Sequence, residues 1–102
     1  MKKIVIKLEY KCYPMWIYED VLIKNDLADE LRDDAVLDSK LMEIQAIYDN
    51  QFINTNTEFS YKTFSSNKEK ELFKEKIANA VAYIQNKVGN TYIVEDRSDY
   101  SI

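Results

Sequence analysis

The stretch from Ser66 to Gly89 constrains the fold more than any other part of the chain, because both of its ends are marked. Ser66 followed by Glu69 fits a capping box, in which hydroxyl and carboxylate each satisfy an orphan amide at a helix start. Phe73, Ile77, Ala80, Val81, Ile84 and Val88 then fall on one apolar stripe. Lys87 sits in the last turn, where a cation suits the helix dipole. Gly89, the only glycine in 102 residues, stands where a left-handed C-cap is needed. A helix with one apolar face must be covered by a second layer.

The rest of the chain supplies that layer. Residues Lys3 to Tyr10 alternate, with Ile4, Ile6, Leu8 and Tyr10 on one side and Lys7 and Glu9 on the other. That period predicts a half-buried strand, with Val5 on the polar side. Pro14 cannot donate to a ladder and ends or kinks the segment. A second extended stretch spans Met15 to Ile23, with Trp16 and Tyr18 opposite Ile17 and a turn signalled at Glu19 and Asp20. Trp16 reads as a core residue. Asp26 reads as the N-cap of a short helix, Leu27 to Asp33, with Asp29 near its positive end. A longer helix begins at Asp34 or Asp38 and runs to Asn50, burying Leu37, Leu41, Ile44 and Tyr48, with Ile47 widening the stripe. Asn54 to Thr57 reads as a loop, and Phe59 to Phe64 as a strand. Thr91 to Glu95 reads as a last strand, and residues 95–102 as a polar tail. The expectation is a single α+β domain over residues 1–102. It is built on a small antiparallel or mixed sheet of three to four strands, with three helices packed on it.

Composition removes most function classes. A chain of this length buries roughly 65% of its unfolded surface, enough for one core. It is 46% hydrophobic and 31% charged, which excludes a disordered or collagen-like chain. No apolar run approaches the roughly 20 residues of a membrane span. Lys7 and Glu9 interrupt the apolar run after Lys2 and Lys3, so the N-terminus is not read as a signal peptide and a cytoplasmic protein is expected. The lone Cys12 reads as a small part-buried apolar residue of a reducing compartment. The chain has no histidine, so Ser-His-Asp and Cys-His arrangements are impossible. One glycine cannot build a phosphate cradle. The carboxylates form a dense run with nothing to desolvate one of them selectively, so no enzyme is expected. No cofactor or metal is expected either, since the run Asp26 to Asp38 lacks the glycine and the alternating acids of an EF-hand loop.

Charge is the feature left over. The formal net charge is -4. Within Tyr18 to Asp38, Glu19, Asp20, Asp26, Asp29, Glu30, Asp33, Asp34 and Asp38 face only Lys24 and Arg32, so eight minus two leaves -6. Gathered on one surface, these acids steer basic partners and repel nucleic acid. The same residues also serve as ordinary helix-start chemistry or as a solvated face. Tyr10, Tyr13, Trp16 and Tyr18 cluster beside them, with Tyr13 and Tyr18 read as exposed next to the patch. The candidate partner-binding residues are therefore Tyr18, Glu19, Asp20, Asp26, Asp29, Glu30, Asp33 and Asp34.

Several stretches together carry a resemblance: Tyr13-Pro14 with Trp16-Ile17, Asn25 to Leu31, Ile44 to Asp49, Phe59 with Tyr61, and Glu71 with Phe73 onward. From about Leu8 to Asp96 the chain resembles small bacterial immunity proteins of contact-dependent growth inhibition and related polymorphic-toxin systems. The resemblance implies a cytoplasmic protein that neutralises a cognate toxin domain, often a nuclease. Such a protein acts by tight one-to-one binding, as a monomer when free, with no nucleic acid or membrane as partner. An acidic nucleic-acid mimic and a small adaptor subunit are the rival readings; the first needs acids over more of the surface, the second an apolar interface.

Overall fold

The computed structural model describes residues 2–54, 59–61, 64 and 66–98. Strands β1 (Lys3–Ile6), β2 (Met15–Glu19) and β3 (Leu22–Lys24) come first, followed by a single 3-10 turn at Asp29–Leu31. Helix α1 (Ala35–Asp49), the short strands β4 (Phe52–Asn54) and β5 (Phe59–Tyr61), helix α2 (Asn67–Val88) and strand β6 (Ile93–Asp96) complete the order. The main sheet is four-stranded and mixed, in the order β3-β2-β1-β6. β2 pairs antiparallel with both β1 and β3, whereas β6 runs parallel to β1. β4 and β5 form a separate two-stranded sheet.

Pairing puts Ile4 opposite Ile17 and Ile6 opposite Met15, and all four are buried on one face. Both helices pack there. α1 contributes Leu37, Leu41, Ile44 and Tyr48, and α2 contributes Phe73, Ile77, Ala80, Ile84 and Val88. These are the apolar stripes expected from helical spacing, except that Val81 is only partly buried. The Ser66 hydroxyl accepts the Glu69 amide at 3.2 Å, as a cap requires. Gly89 has φ 55, the positive value a C-cap uses, but its ψ of -123 lies outside the left-handed helical basin.

Three expectations are corrected. The described residues form two α-helices, not three: the segment Leu27 to Asp33 makes only the 3-10 turn. Asp34 is held extended (φ -86, ψ 90) as the N-cap of α1, so no helix passes through it. Asp26 caps nothing at range; its carboxylate accepts the adjacent Leu27 amide at 2.7 Å, and Ala28 precedes the turn without a side-chain cap. Trp16 lies half-buried on the outer face of the sheet rather than in the core. Its indole N–H donates to the Lys7 carbonyl at 3.2 Å, and the Lys7 ammonium sits 5.8 Å from its ring. Val5, on that same face, is fully buried.

Two connections were not foreseen. Strand β4 follows α1 directly, and Phe52 packs its ring against Tyr48 and Tyr10, with centroids 5.2 and 4.6 Å apart. Asn25 closes the loop before β2: its Oδ1 accepts the Tyr13 amide, and its Nδ2 donates to the Tyr13 and Met15 carbonyls. Of the loop expected at Asn54 to Thr57, Asn54 ends β4 and the rest lies outside the described residues. Lys62 and Thr63 of the predicted strand, and residues 99–102 of the tail, also lie outside them.

Candidate functional site

The acidic segment runs from the tip of the β2–β3 hairpin through the 3-10 turn to the start of α1. Leu27, Ala28 and Leu31 anchor it in the core on the helix side of the sheet. Tyr18 does not join it. β2 alternates, with Ile17 toward the helices and Tyr18 on the opposite face, half-buried under Arg97 at 5.8 Å.

The acids themselves divide into groups. Asp26 and Asp29 both pair with Arg32, at 3.5 and 3.0 Å. The Arg32 guanidinium holds the Asp29 carboxyl below its ordinary range. Glu19 lies 3.8 Å from Lys2. Glu19, Asp29, Lys2, Lys24 and Arg32 border one notch of about 20 Å³, enough for a single water. Charge is nearly balanced there, because Lys2 arrives from far away in sequence. Asp20 stands alone at the hairpin tip, in the left-handed region with φ 53.

Glu30, Asp33 and Asp34 form the second group. They line an open groove of about 520 Å³ with Leu31, Ala35, Val36, Tyr83 and Lys87. Asp34 accepts the Leu37 amide at 3.0 Å and the Tyr83 hydroxyl at 2.8 and 3.0 Å, with Lys87 3.8 Å away. The amide bond first, then the phenol, keeps its carboxyl below the usual range. Glu30 accepts the Tyr92 hydroxyl at 2.8 Å. Burial, that hydrogen bond and the fields of Glu30, Asp29 and Glu19 push the Tyr92 phenol up, so three acids of the segment surround one ring. Asp33 is exposed.

Tyrosine thus plays an unexpected part. Tyr13, read as exposed, is half-buried and donates to Asp38 at 2.7 Å. Burial, then Asp38, then Asp26, push its phenol up. With Tyr83 and Tyr92, three phenols donate to three carboxylates of the segment. Neither Tyr83 nor Tyr92 was singled out by the sequence reading. Tyr83 lies at the edge of the α2 stripe, one turn before Lys87, and that placement was the available signal.

Among the described residues no group of three His, Cys, Asp or Glu is set to hold a metal ion, and no helix is long and apolar enough to cross a membrane. The arrangement is that of a surface that can accept cations and hydrogen-bond donors from a macromolecular partner. A family model described as Serratia CdiI immunity protein-like matches residues 2–99. The chain belongs to that family, and it is an immunity protein of a contact-dependent growth inhibition system. No curated protein matches it closely enough to report.

Proposed function

We propose that this chain neutralises a cognate toxin domain by stoichiometric occlusion, with the groove of Glu30, Asp33 and Asp34 as its acidic contact surface. Membership of the immunity family supports the class of partner. The groove carries the rest of the reading: three carboxylates lie beside the exposed Val36, with Lys87 the one cation lining it among the described residues. A nuclease presents cationic groups to phosphate, so an acidic plug complements its substrate site or an adjacent basic face. Glu19, Asp26 and Asp29 contribute less, because a partner's cation would have to displace Lys2 or Arg32. Asp20 and Tyr18 are peripheral to the groove. On this reading the acidic groove seats one toxin domain in a one-to-one complex in the cytoplasm, in which the chain performs no reaction of its own.

The test is a double substitution, Glu30→Gln with Asp33→Asn. Gln keeps an acceptor for Tyr92, and neither change reaches the core. Association of the co-encoded toxin domain is expected to slow at least tenfold at low salt and to lose most of its salt dependence. A loss in binding below about 1 kcal/mol overturns the assignment, since desolvated charge pairs usually cost about 2–5.

A further inference from the structure

Helix α1 is short of charge on both of its sides. Toward the sheet it buries Leu37, Leu41, Ile44 and Tyr48. A surface helix ordinarily carries charged side chains opposite such a stripe. Here the exposed residues of the helix are Ala35, Val36, Ser39, Met42, Glu43 and Ala46. Ala35, Ser39, Met42 and Ala46 fall at i, i+4, i+7 and i+11, one line on the side away from the core. Val36 is 57% exposed and Met42 49%. The exposed side of α2 instead carries Lys68, Glu69, Glu71, Lys74 and Glu75. The charges that α1 does hold are engaged within the chain. Lys76 reaches Glu43 at 2.6 Å, Lys40 lies 5.7 Å from the Tyr83 ring, Asp38 accepts the Tyr13 hydroxyl and Asp49 accepts the Lys11 amide.

This face is continuous with the acidic groove. A second open groove, lined by Ala35, Val36, Ser39, Lys40 and Glu43, shares Ala35 and Val36 with the groove of Glu30, Asp33 and Asp34. We propose that the α1 face is the apolar part of the toxin contact, where the toxin domain presents an uncharged apolar patch bordered by the basic groups that meet Glu30 and Asp33. The assignment rests on the groove reading above and adds the apolar half of the partner's surface. Charges at a rim steer and orient, whereas an apolar centre that excludes water holds the complex together. From Ala35 to Ala46 the line is about 17 Å long, so it carries the contact away from the groove along most of the helix. Ala35, Ser39 and Ala46 leave room for close approach. Val36 has little rotamer freedom to lose, and Met42 adapts to an uneven surface. Charge selects the occupant. A second copy, itself acidic with a net charge of -4, is a poor match for a face whose end carries three carboxylates, and a basic toxin domain is a good one.

Met42→Gln and Ala46→Gln test this, read by the dissociation rate of the co-encoded toxin domain at low and high salt. Each places an uncharged amide at an exposed position and keeps a good helix former there. Dissociation is expected to speed about tenfold or more in each, with the salt dependence and the urea midpoint of the wild-type chain. Glu30→Gln with Asp33→Asn acts differently, slowing association and flattening its salt dependence. Dissociation within about twofold of wild type in both α1 variants overturns the proposal, and the groove reading still stands if the acidic double substitution slows association. Faster dissociation in the α1 variants with no effect of the acidic double substitution overturns the groove reading instead, and leaves the α1 face as the contact. Sedimentation velocity of the free chain covers the other occupant. A wild-type dimer that Ala46→Gln dissociates, with toxin binding unchanged, overturns the proposal and assigns the face to a second copy.

Discussion

Replacing Tyr92 with Phe removes one oxygen and leaves the ring packing in place. Tyr92 is 4% exposed, and its hydroxyl donates to Glu30 at 2.8 Å. A hydrogen bond to a charged acceptor contributes about 1.5–3 kcal/mol net, and the exposed Glu30 regains water when the phenol is gone. The expected loss at pH 7 is therefore at the low end, about 1.5 kcal/mol. High pH supplies a second, independent check. In the fold, burial and the adjacent acids keep the phenol protonated beyond its ordinary value of 10.0. The folded pKa is raised, so this group's contribution is complete below pH 10 and declines as pH climbs toward the folded value. At pH 11 the unfolded phenol is ionised, which costs the wild-type fold about 1.4 kcal/mol through this one residue. The Phe variant suffers no such loss. Urea unfolding of both chains should therefore show a difference of about 1.5 kcal/mol at pH 7 that shrinks to about zero at pH 11. A difference equal at the two pH values refutes the protonated, hydrogen-bonded phenol. A difference at pH 7 below about 0.5 kcal/mol refutes the bond's contribution to stability.

Two further outcomes follow from the caps. Asp34→Ala should lower the urea midpoint clearly, whereas Asp33→Ala should not. The Asp34 carboxyl is held below its usual 3.8, so the gap between Asp34→Ala and wild type should close as pH falls through and below that value. Gly89→Ala should cost about 1–3 kcal/mol by thermal unfolding, all of it from backbone conformation. A methyl group there meets nothing within 4 Å, but φ 55 with ψ -123 is a region that side chains resist.

Local patterns were legible where one residue type decides the geometry. Ser66 and Gly89 bracket α2 within a residue of its observed ends, because a cap and a positive φ are each short-range requirements. The stripe from Leu37 to Tyr48 is buried as spacing demands. What local pattern could not decide was competition between neighbours. Asp26 and Asp34 are both good N-caps, and only Asp34 has a full helix after it to use the bond. Trp16 was misplaced because alternation says which residues share a face, not which face the helices cover. Strand β4 is three residues long, too short for periodicity to show.

The site was less legible for a physical reason: charge counted along the chain is not charge counted in space. The tally of -6 over Tyr18 to Asp38 omitted Lys2 beside Glu19 and Lys87 beside Asp34, one from the first residues of the chain and one from the end of α2. It also treated all eight acids alike, and their partners separate them. An acid paired to Arg32 has spent its field on a cation, and a toxin must break that pair to use it. A phenol is neutral, so Tyr92 fixes the direction of Glu30 without spending its field; Tyr83 directs Asp34 in the same way, although Asp34 also shares its field with Lys87 at 3.8 Å. An acceptor already held in place loses less freedom when a cation arrives. On this argument the tyrosines near the surface are positioning residues for the acids rather than contacts themselves. Tyr83→Phe should then weaken toxin binding only through Asp34, and should do so no further in a chain that already carries Asp34→Ala.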